Sequence, residues 1–214
     1  MYHYGVGAMA SSIIAMNEAV SLVIAAIIVA LVFGSSFLVR GDYIGFLIVT
    51  VSAILAVIPH ELMHRWSARR MGCYSRYVLY PFGVLLTLLT AIPFIPFKVI
   101  MPGFVLISCH AHSSEEEKRI NGVTSFAGPV TNLFIASLSL ILLRSILVSM
   151  PIGVILNSSA LLVFLLFLAK LNGWVAFFNL LPIPPLDGSK IIRWRPILWV
   201  VSFILSIIIM YFSG

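Results

Sequence analysis

The chain has 214 residues, of which 61% are hydrophobic and only 9% charged, whereas soluble globular domains carry about 25% charged residues. A water-solvated surface cannot be built from that composition, and the mean hydropathy of +1.13 implies that most of the exterior faces lipid. The net charge of +6, from 13 Lys and Arg against 7 Asp and Glu, is too sparse and scattered for a nucleic-acid footprint, so the basic residues read as markers of loop sides. The bilayer is the expected partner and nucleic acid is not. Cys73 and Cys109 are far apart, lack C-x-x-C spacing, and read as small apolar fillers. The amino terminus has no basic n-region and its first apolar run is too long for a signal-peptide h-region, so it is expected to be retained.

A membrane-crossing helix needs about 20 apolar residues to span roughly 30 Å of hydrocarbon. The first such run extends from Ala19 to Val39, with Glu18 before it and Arg40 after. A second starts at Tyr43, is apolar to Pro59, and continues as His60-Glu61-Leu62-Met63-His64 before Arg65, Arg69 and Arg70. The stretch from Tyr77 to Ile107 is apolar but holds Pro81, Pro93, Pro96 and Pro102 with Gly83, Gly103 and Lys98, which argues against one straight helix and for a re-entrant hairpin with strand-like segments. Polar residues gather from His110 to Asn121, including Glu115, Glu116, Glu117, Lys118 and Arg119, and read as a water-soluble loop with a solvated charged face. Further spans are expected over Val123–Val148, Gly153–Leu181 and Pro196–Phe212. The fold class is therefore an all-α polytopic membrane protein of about five to six transmembrane helices with a Pro-rich re-entrant or strand-containing segment, forming a single domain over residues 1–214.

Cytoplasmic ends of spans are enriched in Lys and Arg. Two clusters stand out: Arg65, Arg69, Arg70 and Arg76 after the second span, and Lys190, Arg193 and Arg195 before the last. If both are cytoplasmic, and the Val123 and Gly153 spans form a hairpin between them, the Tyr77 to Ile107 region must begin and end on one side. The same parity sets His60 to His64 level with the Pro-rich segment before Lys190.

His60-Glu61-Leu62-Met63-His64 is H-E-x-x-H. Helical spacing of four puts both imidazoles on one face, where they can share one Zn²⁺, and the adjacent glutamate can take a proton from an attacking water. Ionisable groups at the end of a lipid-crossing helix cost several kcal/mol unless paired, metal-bound or in a water-filled cavity. The bland reading is a helix end whose His and Glu meet headgroups. A catalytic zinc usually has three protein ligands, so a third is needed from Asp42, His110, His112, Glu115 to Glu117, or Asp187. Asp42 lies at the other end of the second helix, roughly 25 to 30 Å away. The acidic run looks soluble, whereas Asp187 follows Pro182, Pro184 and Pro185, which force an extended backbone at the end of an apolar span. Asp187 is the better-placed ligand, although Asp187-Gly188 alone would read as an interfacial turn.

H-E-x-x-H ending an early span, Ala-Gly-Pro-x-x-Asn at Ala127, Gly128, Pro129 and Asn132, and Asn-x-Leu-Pro followed by Leu-Asp-Gly from Asn179 to Gly188 resemble the site-2 protease family of intramembrane zinc metalloproteases. The resemblance covers roughly Tyr43 to Gly188, residues 43–188, the expected catalytic core. It implies one zinc per chain held by His60, His64 and Asp187, with Glu61 as the base. It further implies that Asn179 positions substrate or stabilises the oxyanion, and that Gly128, Pro129 and Asn132 shape the helix beside the site. The implied substrate is a transmembrane protein segment, cut at the cytoplasmic side of the cell membrane. The interval between H-E-x-x-H and Gly-Pro is longer than in compact members because of Tyr77 to Ile107, and there is no room for a PDZ or CBS domain. A membrane metallopeptidase with a glutamate third ligand and a metal-ion transporter are the alternatives.

Cys109-His110-Ala111-His112 could hold a second metal, but neighbours in an extended loop rarely point to one centre, so a surface loop is the expectation. Trp66, Trp174, Trp194 and Trp199 lie near proposed span ends, as interfacial anchors do. Arg144 and Lys170 interrupt apolar spans and would snorkel or pair with acids.

Overall fold

Asn17, whose side-chain oxygen accepts the Ala19 N–H at 2.9 Å, starts helix α1, Glu18–Val39. Gly41, at positive φ, makes the turn, and Asp42 caps α2, Tyr43–Arg70, by accepting the Gly45 N–H at 2.8 Å. That role accounts for Asp42, which had been a candidate ligand. The structure, a computed structural model, describes residues 16–93, 95–149, 151 and 159–214. The amino-terminal expectation and the start of the expected Gly153–Leu181 span, residues 153–158, lie outside them.

After α2 the chain forms strand β1, Tyr74–Leu79, helix α3, Pro81–Leu89, and strand β2, Gly103–Ser108. The strands pair antiparallel, with Tyr74 opposite Ser108 and Leu79 opposite Gly103. Tyr77 N–H donates to Glu18 at 3.0 Å at the start of α1, while the far tip receives a hydrogen bond from Ser35 to the Ala91 carbonyl at 2.5 Å. Those two points are about 25 Å apart along α1 at 1.5 Å per residue, so the hairpin penetrates most of the depth of the bundle and returns. Lys98 closes the tip by donating to the Thr90 and Ile92 carbonyls at 2.7 and 3.1 Å. The Pro-rich segment is thus a strand-containing hairpin that begins and ends at one end of the bundle.

Cys73 and Cys109 flank the Tyr74–Ser108 pair and form a disulfide with a Cα–Cα separation of 4.6 Å. This corrects their reading as fillers: ribbon pairing, invisible in their sequence spacing, sets them side by side. A second correction concerns the expected soluble loop. The residues from Ser114 are the first turns of α4, Ser114–Ser149. Ser113 Oγ accepts the Glu116 N–H at 3.1 Å and Glu116 accepts the His112 N–H at 2.7 Å, a reciprocal cap, and the three glutamates complement the helix dipole.

Helix α5, Ser159–Asn179, is followed by the Pro-rich turn, the short helix α6, Gly188–Trp194, and α7, Pro196–Ser213. Among the described residues, α1, α2, α4, α5 and α7 are long and apolar enough to cross a membrane. The central α2 packs on α1, α4 and α5, and α5 also on α7. One core cluster joins Val29 of α1, Ala53 and Val57 of α2, Tyr77 of β1 and Leu171 of α5, and a second joins Leu133 of α4, Ala176 of α5, Ile191 of α6 and Ile209 of α7. The perimeter carries exposed Ile44, Leu47, Phe134, Ile141, Ile197 and Val201. Apolar residues on both the packed and the outer faces are what a lipid-surrounded bundle requires. Arg144 and Lys170 are also exposed on the perimeter, and no acid pairs with either among the described residues.

Candidate metal centre

His60, His64 and Asp187, each less than a tenth exposed, converge where α2 meets α4 and the turn after α5. His60 Nε2 lies 2.9 Å from His64 Nε2, and one Asp187 oxygen lies 3.1 Å from His64 Nε2 and 3.6 Å from His60 Nε2. Among the described residues, these are the His, Cys, Asp or Glu side chains whose ligand atoms gather within 4.8 Å. Exposed Glu115, with its acidic neighbours in the first turn of α4, is not in the cluster; nor are His110 and His112.

The outer ring atoms fix the tautomers. His64 Nδ1–H donates to the Thr124 carbonyl at 2.7 Å, which can only accept. Asn132 uses its amide nitrogen on the Ala56 carbonyl and on Asn172 Oδ1, both at 2.8 Å, so its oxygen is left to accept from His60 Nδ1–H. Both Nε2 lone pairs therefore face Asp187. Each backbone acceptor lies one residue from a carbonyl that a helix proline leaves unserved. A proline inside a helix removes the N–H that would serve the carbonyl four residues back and opens that turn. Pro59 does so for Leu55 in α2, next to Ala56, and Pro129 for Ser125 in α4, next to Thr124.

The motif glycine has an equally local reason. A Cβ on Gly128 would sit 2.3 Å from His64 Nε2 and 2.7 Å from His60 Nε2, on the metal-facing side of both rings. The donor set fits zinc: two imidazole nitrogens and a carboxylate oxygen, at separations that bracket the roughly 3.3 Å expected between tetrahedral ligands about 2.0–2.1 Å from the ion.

Glu61, Asn179 and Lys190 line the same pocket of about 70 Å³, together with Gly103 to Val105 of β2 and Pro185 and Leu186. Asn179 Nδ2 donates to the Val175 carbonyl at 3.0 Å, so the ordinary helix-end role and a place at the pocket coexist. Lys190 Nζ lies 4.0 Å from the second Asp187 oxygen. Lys190, Thr124 and Asn172 were missed by sequence reasoning. The signal for Lys190 was its position three residues after Asp187 at the start of a helix; Thr124 and Asn172 gave none, since a backbone carbonyl and a third-tier amide have no motif.

The profile of peptidase family M50 matches residues 144–202, from α4 through the Asn179-to-Gly188 motif into α7. Over 186 residues, 86% of this chain and 88% of the relative, the sequence is 31% identical to the protein of Methanocaldococcus jannaschii named "Putative zinc metalloprotease". No solved structure matches the chain. With H-E-x-x-H, the Gly128 cradle and Asp187 drawn to one point inside a multi-pass bundle, the chain belongs to peptidase family M50, the site-2 protease family of zinc metalloproteases.

Proposed function

We propose that the protein is an intramembrane endopeptidase that cleaves transmembrane segments of membrane proteins, with one zinc per chain held by His60, His64 and Asp187. The observation that carries this reading is the convergence of those three buried side chains within 4.8 Å, in a pocket that also holds Glu61. Zinc bound there supplies Lewis acidity toward a carbonyl oxygen and lowers the pKa of water toward about 7. Glu61 takes the proton of the attacking water and returns it to the leaving amine. Asn179 offers its second amide hydrogen to the carbonyl oxygen as that oxygen gains charge.

Substrate must arrive extended. The carbonyls of a helical peptide are internally hydrogen-bonded, and a pocket of about 70 Å³ has no room for a helix. Strand β2 supports the alternative: it lines the pocket, and it pairs with β1 alone among the described residues. Its outer edge offers backbone groups to an unwound peptide as a further strand. The catalytic unit is a single domain, with its core over residues 43–188.

Purified protein should contain one zinc per chain and cut a synthetic transmembrane peptide in detergent or vesicles. A chelator should abolish cleavage. Glu61→Gln should keep zinc and lose cleavage by about 10²–10⁴-fold. Full activity of that variant would remove the mechanism, and zinc retained by Asp187→Ala but lost on substituting Glu115 to Glu117 would favour a glutamate third ligand. A metal transporter would instead carry zinc flux in proteoliposomes and cleave nothing. The buried, three-ligand geometry favours the peptidase, because a transport path needs polar groups along several spans.

A further inference from the structure

A second cavity, of about 600 Å³, opens between the first turn of α1, the last turns of α2 and strand β1. Arg65, Arg69 and Arg76 line it, and Glu18 is its one acid. Glu18 is fully engaged: one oxygen lies 3.1 Å from Arg65 Nη1 and the other accepts the Tyr77 N–H at 3.0 Å. Arg65 Nε is buried with no partner among the described residues. Arg76 donates to the neutral Met16 carbonyl, and Arg69 is exposed with no acid within ion-pair distance among the described residues. Three guanidiniums therefore face one carboxylate in a concave site. A positive end of a span requires only charges on a surface; it does not require them to converge on a cavity.

The surroundings identify the anion. Tyr74, in the lining, and Trp66, which follows Arg65 in α2, stand half or more exposed, as aromatic residues do at headgroup depth. Ala19, Leu22 and Leu62 are the apolar members of the cavity's lining, beside the arginines. Arginine set beside apolar side chains at the end of two membrane-length helices suits a group that is anionic at one end and hydrocarbon at the other. A guanidinium matches phosphate oxygens with its two-pronged donor geometry, and every basic residue in this cavity is arginine.

We propose that this cavity binds the phosphate headgroup of an anionic phospholipid, with Arg65, Arg69 and Arg76 on the phosphate and the exposed apolar Ala19 and Leu62 against the start of an acyl chain. The lipid would tie the end of the metal-bearing helix to the start of α1 and to β1. The proposal stands apart from the peptidase reading, since neither its residues nor its test involves the metal site.

The test is thermal unfolding of the purified protein in neutral detergent with added phosphatidylglycerol, phosphatidylcholine, inorganic phosphate or a short polyglutamate. Wild type is compared with Arg69→Gln, with Arg69→Gln/Arg76→Gln, and with Arg193→Gln/Arg195→Gln, which removes the same charge elsewhere at that end of the bundle. Phosphatidylglycerol should raise the wild-type midpoint by about 5 °C or more, phosphatidylcholine should not, and the α6-end control should respond like wild type. Arg69→Gln, a change at an exposed side chain, should lose part of the shift and the double variant nearly all of it; native mass spectrometry should show the matching loss of retained phosphatidylglycerol. Equal stabilisation of wild type and double variant, or equal effects of the two lipids, would overturn the proposal. A full shift with inorganic phosphate alone would reassign the cavity to a soluble anion, and a larger one with polyglutamate to an acidic peptide; either result overturns the lipid assignment.

Discussion

Asn172 touches none of the three proposed metal ligands, yet it decides how one of them is presented. Its amide nitrogen donates to the Leu168 carbonyl at 2.8 Å, which turns its oxygen toward Asn132; Asn132 must then give nitrogen to Asn172 and oxygen to His60. All three residues are buried, so water cannot substitute. Outer-shell partners of this kind are worth about 10–100-fold in metal affinity. Asn172→Leu is expected to weaken zinc binding by that factor in a chelator-competition titration, whereas Asn172→Asp, which keeps the oxygen facing Asn132, should bind nearly as wild type. Equal affinity in all three proteins would reduce Asn172 to packing. Legibility in the sequence divides along the same line. His60, Glu61 and His64 were readable because one helical turn defines their geometry, and Asp187 because three nearby prolines restrict the backbone before it. The Asn172–Asn132–His60 chain spans three helices, and no local pattern encodes a hydrogen bond between residues 40 positions apart.

Helices and strands were legible in proportion to how local their signals are. The spans followed from apolar length, and the broken Tyr77 to Ile107 segment from its prolines. The start of α4 was missed because a charged run was weighed by polarity, when Ser113 and Glu116 carry the spacing of a capping box. The Cys73–Cys109 bond was missed because only the ribbon register reveals it. That bond joins the base of the ribbon to the end of α2 and, through Ala68 and Ile120, to the start of α4. Closing a loop of sequence separation 36 restricts the unfolded chain by on the order of 4 kcal/mol. Cys73→Ser/Cys109→Ser should therefore unfold at a lower temperature than wild type, and reductant should lower the wild-type midpoint to the same value while leaving the variant unchanged. Because β2 lines the metal pocket, the same two samples should show faster proteolysis of the ribbon. Indistinguishable melting of all samples would mean that the ribbon is held by pairing alone.

At the scale of the whole molecule, two rules about sidedness pull in opposite directions. Glu18 meets Arg65, so α1 begins where α2 ends; α4 begins and α5 ends at that same end, where Thr124 and Asn179 adjoin the metal pocket. Arg65, Arg69, Arg70, Arg76, Lys190, Arg193 and Arg195 therefore share one end of the bundle, against Arg40 and Asp42 at the turn on the other. By the positive-inside rule the metal-site end is expected in the cytoplasm. The disulfide lies at that end too, and disulfides belong to oxidising compartments except in organisms whose intracellular proteins carry them. The charge bias acts on the chain as it is inserted, through many residues near the span ends, whereas a disulfide is a consequence of the compartment reached and does not choose it. Charge should thus set the orientation. In a Cys73→Ser/Cys109→Ser background, a membrane-impermeant thiol reagent added to intact cells should label Gly41→Cys and leave Arg193→Cys untouched until the membrane is opened. Labelling of Arg193→Cys from outside, with Gly41→Cys protected, would invert the assignment and put both the disulfide and the peptidase site on the outer face.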